Sequence, residues 1–115
     1  MGEALRQARL ADDAGEVPVG AVIVHQHRII ARAFNQVELL KDATAHAEIL
    51  ALTQAARVFG DWRLTGTTLY ATKEPCPMCA GAVTLARVER LVYGARDERA
   101  GGAGSVYSIT ATPGW

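Results

Sequence analysis

A chain of 115 residues, half of them apolar and about a fifth charged, has room for a single domain with a real core and little for a second. Twelve basic residues balance twelve acidic ones, so net charge argues neither for nor against nucleic acid and leaves a local basic patch open. The longest apolar run, Val17 to Val24, is far short of the ~20 residues that cross a bilayer. The amino terminus also lacks the basic start and apolar centre of a secretory signal, so no membrane association and a cytoplasmic location are expected.

Residues Gly2 to about Ala14 place Ala4, Leu5, Ala8 and Ala11 on one helical face, with Gly15 as a stop. Val17 to Val24 and Ile29 to Phe34 are short and rich in β-branched residues, which predicts an antiparallel hairpin turning at Gln26 and His27 without Gly or Asn. His25 and His27 then read as exposed turn residues. A second helix is expected after Thr44 as N-cap, with Ile49, Leu52, Ala56 and Phe59 as its apolar stripe and Gly60 as its end. Thr67 to Thr72 reads as a strand, and a helix from about Pro77 to Arg87 leads into another at Arg90 to Tyr93. Such a connection favours a parallel, right-handed crossover.

Met78 and the run Ala80 to Leu85 are expected in the core of that last helix. Gly101, Gly102 and Gly104 are not accompanied by the strand and Lys-Ser or Lys-Thr of a phosphate loop, so they read as a flexible loop. Ser105 to Trp115 gives at most one short helical turn. The sum is one α/β layered domain over residues 1–115, its sheet beginning with an antiparallel hairpin, continuing with parallel strands and covered by helices on both faces.

Only two cysteines occur, spaced as Cys76-x-x-Cys79, which favours a metal or redox role over a structural disulfide. That pair alone also fits half of a structural zinc site. His46-Ala47-Glu48, followed by Pro75-Cys76-Pro77-Met78-Cys79, completes the H-x-E…P-C-x-x-C pattern of zinc nucleobase deaminases. Two thiolates and one imidazole leave the fourth position of a tetrahedral Zn²⁺ open to water, the arrangement of catalytic rather than closed structural sites. Both ligand groups fall at predicted helix starts, where the dipole favours anionic ligands. Pro75 keeps the approach to Cys76 extended, and Pro77 suits a first helical turn. Glu48, roughly 200° around a helix from His46, suits a proton shuttle better than a ligand.

Beyond the motif, the chain resembles the bacterial tRNA-specific adenosine deaminases along nearly its whole length. The likeness runs through Glu16 to Val24, Asn35, Thr44 to Leu52, Trp62-Arg63-Leu64, Glu74 to Ala82, Gly94 to Asp97 and Gly104-Ser105. It implies a three-layer α/β/α cytidine-deaminase-like fold, one zinc per chain and a homodimer with substrate bound near the subunit interface. The implied substrate is the wobble adenosine of a tRNA anticodon, converted to inosine. By the same resemblance Asn35 would hydrogen-bond the purine, the Ala47 backbone would contact its edge and Asp97 would approach the neighbouring nucleotide.

The chain departs from that pattern in Ala43, where proline is usual, in Lys73, where an apolar residue is common, and in stopping at Trp115, where the family continues into a last strand and a basic helix. A curtailed RNA surface and a fourth-strand edge that needs covering are expected from the last of these. Single-stranded DNA or RNA and a free base or nucleoside such as guanine or cytidine remain alternative substrates, because the same chemistry serves them all. An inactive zinc-binding partner subunit is the non-enzymatic alternative, and the presence of Glu48 argues against it.

Overall fold

The computed structural model describes residues 1–104, so the expected turn after Ser105 lies outside the described residues. The elements in chain order are α1 (Gly2–Asp13), β1 (Gly20–His25), β2 (Arg28–Phe34), α2 (Val37–Leu40), α3 (Ala47–Phe59), β3 (Thr67–Lys73), α4 (Pro77–Leu85) and β4 (Arg90–Ala95). The strands form one sheet in the order β2-β1-β3-β4. β1 runs antiparallel to both β2 and β3, whereas β3 and β4 are parallel and joined through α4. This is the expected mixed sheet.

The hairpin turn is made as the spacing requires. His25 pairs with Arg28, leaving Gln26 and His27 with φ of 49° and 64°, the doubly left-handed geometry whose twist matches the strands. The first strand starts at Gly20 rather than Val17. The Val19 amide turns back onto the Val17 carbonyl at 2.8 Å, and the Val19 carbonyl takes the Asn35 amide at 3.1 Å. His25 is not a free turn residue, since its ring meets Phe59 edge to face at 4.9 Å.

Side chains alternate across a strand, and each face has its own cover. Toward one side point Ala21, Ile23, Ala31, Ala33, Leu69 and Ala71, which form a single buried cluster with Ala47, Ala51, Leu52 and Ala55 of α3 and Val83 of α4. On the other side Gly20 lies against α1, where a Cβ would collide with the Ala4 carbonyl and stand 2.6 Å from the Ala8 nitrogen. Three layers result, α1 over the sheet over α3 and α4. Among the described residues no helix is long and apolar enough to cross a membrane.

Several faces differ from the sequence reading. In α1 the buried row is Ala4, Gln7, Ala8 and Ala11, the i, i+3, i+4, i+7 stripe. Leu5 flanks that row and is exposed, while the Gln7 amide donates to Glu3 at 3.1 Å. Thr44 does not cap α3: its hydroxyl and amide both bond Asp42 Oδ1, at 2.7 and 2.8 Å, and the N-cap is His46. The buried row of α3 is accordingly Ala47, Glu48, Ala51, Leu52 and Ala55, with Ile49, Ala56 and Phe59 at its margin. α4 stops at Leu85 because Arg87 takes a left-handed φ of 63°. Its buried residues are Cys79, Ala80 and Val83, so Met78 and Leu85 are exposed rather than core.

Candidate active site

The carboxyl ends of β2, β3 and β4 and the amino end of β1 lie at one end of the sheet, where α3 and α4 also begin. Open α/β sheets bind ligands at such an end. Two helix starts meet there, because His46 is the N-cap of α3 and Cys76 the N-cap of α4, each in an extended conformation. Pro77 occupies the first turn of α4, where its missing N–H costs nothing.

His46 Nδ1 stands 3.6 Å from Cys76 Sγ and 3.5 Å from Cys79 Sγ, and the three donor atoms all lie within 4.8 Å of one another. Zinc bonds of ~2.3 Å to sulfur and ~2.0 Å to nitrogen place tetrahedral neighbours about 3.6 Å apart. The donor set therefore fits zinc in both chemistry and spacing. A hydrogen bond from Cys79 is the main influence that lowers the Cys76 thiol to about 5. The same partnership, followed by burial, pushes the Cys79 thiol up.

Glu48 is the second residue of α3 and only 4% exposed. Burial is the main cause that raises its carboxyl above the ordinary range; its own backbone N–H works in the opposite direction, and the neighbouring Cys76 raises it further. It shares with His46, Cys76 and Asn35 the wall of a cavity of about 350 Å³. Asn35, placed just after β2, is itself buried. Ala47 and Asp97 are not among the lining residues. The Ala47 methyl belongs to the core, and Asp97 Oδ1 is engaged by the amides of Arg99 and Ala100 at 3.0 and 3.1 Å.

Two buried glutamates in the same wall had no role assigned from the sequence. Glu16 accepts the amides of Glu38 and Leu39 at 3.0 and 2.7 Å, fixing α2, an element absent from the sequence reading. Glu74 accepts the amides of Asp97 and Ala103 at 3.1 and 3.0 Å. That holds the segment read above as a flexible loop. Gly101 and Gly102 are buried within it, and the Gly102 amide donates to the Pro75 carbonyl at 2.7 Å. A Cβ on Gly102 would lie 2.9 Å from the Cys76 carbonyl, so glycine serves close backbone approach here. The available sequence signal was a charge set against apolar or proline-bounded segments, Glu16 before Val17 to Val24 and Glu74 before Pro75.

A trio able to hold a metal beside a buried carboxylate, at the end of a sheet of this topology, has the make-up of a deaminase-like centre. The chain belongs to the MafB19-like deaminase family, whose model matches residues 1–111. It is 50% identical over 109 residues to a tRNA-specific adenosine deaminase of Bacillus subtilis, covering 95% of this chain and 68% of that one. A solved structure from work on A-to-I editing by tRNA:A34 deaminases superposes with a TM-score of 0.95 at 46% identity, covering 99% of this chain and 88% of that one. A guanine deaminase of Bacillus subtilis superposes with a TM-score of 0.82 at 41% identity, covering 90% and 66%. The resemblance read from the sequence and the cytidine-deaminase-like fold it implied are both borne out.

Proposed function

We propose that this chain hydrolyses the 6-amino group of adenosine in RNA, releasing ammonia and leaving inosine, with the wobble adenosine of a tRNA anticodon as substrate. The observation that carries the reading is Glu48, buried on the wall of a cavity of about 350 Å³ together with His46 and Cys76, whose donor atoms cluster with that of Cys79. A flipped-out base enters a pocket of this kind, and only the unstacked base needs to enter it. The similarity to tRNA-specific adenosine deaminases selects adenosine in RNA among the possible substrates.

His46, Cys76 and Cys79 would hold one zinc ion, which would supply Lewis-acid activation of water. Glu48 takes the proton of the attacking water on its carboxylate and delivers it to the ring nitrogen beside the reacting carbon. The same carboxylate then takes the remaining proton from the added hydroxyl and hands it to the amine, so that the C–N bond breaks, ammonia leaves and a carbonyl remains. Its burial suits the task, since a raised proton affinity brings a carboxyl nearer to neutral pH. Asn35 offers its amide to the purine edge from the cavity wall, whereas the roles of the Ala47 backbone and Asp97 rest on the resemblance alone, since neither lines the cavity. A cytoplasmic homodimer belongs to the same reading and rests on the resemblance; light scattering on the purified protein tests the dimer.

The similarity to a guanine deaminase favours a free base as the second reading. Zinc-loaded protein incubated with an anticodon stem-loop, single-stranded DNA, cytidine and guanine separates the readings by the product formed. Inosine from the stem-loop is expected. Turnover of guanine or cytidine with no inosine from RNA would overturn the proposal.

A further inference from the structure

β3 presents Leu69 and Ala71 to the core, both fully buried, and the next residue on the same face is Lys73, where α3 and α4 no longer cover the sheet. Lys73 is paired with Ala95 in the ladder, lines the cavity and has a side chain 48% exposed. Among the described residues it is the only lysine or arginine lining that cavity, alongside four glutamates, Glu16, Glu38, Glu48 and Glu74. Such a wall admits an uncharged base and repels the phosphates on either side of it. A strand that delivers a base here needs a cation at the mouth, and Lys73 is placed to be one.

The ammonium group is held ready without being committed. Lys73 Nζ lies 3.4 Å from Asp97 Oδ2, a separation at the loose end for an ion pair, and the lysine side chain is half-exposed while that of Asp97 is largely covered. Asp97 does not depend on it, because Oδ1 already accepts the amides of Arg99 and Ala100. When the lysine turns from Asp97 to a phosphate, Asp97 keeps the two amide bonds on Oδ1, and until then it holds the ammonium near the mouth.

We propose that Lys73 contacts a phosphodiester flanking the reacting nucleoside and so positions a nucleic-acid strand over the cavity. This rests on the polynucleotide reading of the preceding section. It makes Lys73 a positioning residue with no part in proton transfer.

The test compares zinc-loaded wild type, Lys73→Gln and Lys73→Arg, first matched for zinc content and melting temperature. Anisotropy with a labelled anticodon stem-loop across a salt series reads binding, and deamination of the stem-loop and of free adenosine reads turnover. Lys73→Gln is expected to raise KM for the stem-loop about 3- to 10-fold with kcat nearly unchanged, and to reduce the slope of log affinity against log salt by about one. Lys73→Arg is expected to restore both, and any turnover of free adenosine should be indifferent to either change. An unaltered KM and salt slope in Lys73→Gln, or an equal loss with adenosine, would overturn the assignment while leaving RNA deamination by the wild type intact. A wild type that neither binds nor deaminates the stem-loop would refute the polynucleotide reading itself, and the role of Lys73 with it.

Discussion

His46, Glu48, Cys76 and Cys79 each sit at an N-cap or within the first three residues of a helix, whereas the rim of the same cavity is held by glutamates bonded to amides 22 to 29 positions away in sequence. The floor is thus built from local geometry, in which a helix start orients a side chain and its dipole favours the charge placed there. The rim is built from long-range side-chain to backbone hydrogen bonds, in which one buried carboxylate fixes a whole segment. The two modes of construction should fail differently.

Removing a ligand is expected to have the largest effect. Cys76→Ala should lose stoichiometric zinc by elemental analysis, and deamination should fall to background. Glu48→Gln comes next: zinc and fold are kept while kcat falls by about 10²- to 10⁴-fold, the usual range for a lost general acid-base group. Full zinc content with unchanged turnover in that variant would sink the proton-transfer role.

Rim variants should spare the metal and cost stability. Glu74→Gln exchanges a carboxylate bonded to two amides for a neutral group, with an expected loss of about 1.5–3 kcal/mol in denaturant unfolding and faster hydrogen exchange at Asp97 and Ala103. If it also lost zinc, floor and rim would not be independent and the contrast would fail. Glu16→Gln should behave alike but more weakly, at about 1 kcal/mol, because it anchors a single helical turn.

The smallest effect is expected far from the cavity, on α1. Hydrogen bonds from Arg6 and then Gln7 hold the partly exposed Glu3 carboxyl down to about 2. A depressed acid contributes stability above its ordinary value near 4.5 and loses it as pH falls through about 2. The melting temperature of Glu3→Gln should therefore lie slightly below wild type at pH 7 and converge with it near pH 2.

The floor was legible in the sequence because its information is local. His46, Glu48, Cys76 and Cys79 are spaced by two and three positions, and Pro75 and Pro77 restrict the backbone beside them. The antiparallel hairpin and the parallel crossover through α4 were legible for a similar reason, whereas the pairing of β1 with β3, which sets the strand order, was not. The rim was not legible, since nothing in Gly101-Gly102 states that their neighbours will be Glu74 and Cys76. Glycine-rich sequence reads equally as slack or as close packing, and only the partner decides. The buried row of α3 was displaced because Thr44 satisfied the rule for an N-cap, yet Asp42 engaged its hydroxyl first.

The contact between α3 and the sheet is made largely of methyl groups, Ala47, Ala51 and Ala55 against Ala21, Ala31, Ala33 and Ala71. Alanine has no rotamers to shift, so where methyl meets methyl an error in spacing is taken up by the backbones or by the few larger neighbours, Ile23, Leu52 and Leu69. The elements that carry His46 and Glu48 are thereby calibrated against the strands like parts machined without shims. Enlarging any of these alanines to valine should be felt at the carboxylate and the imidazole before it is felt as unfolding, which makes the least conspicuous side chains in the molecule its narrowest mutational target.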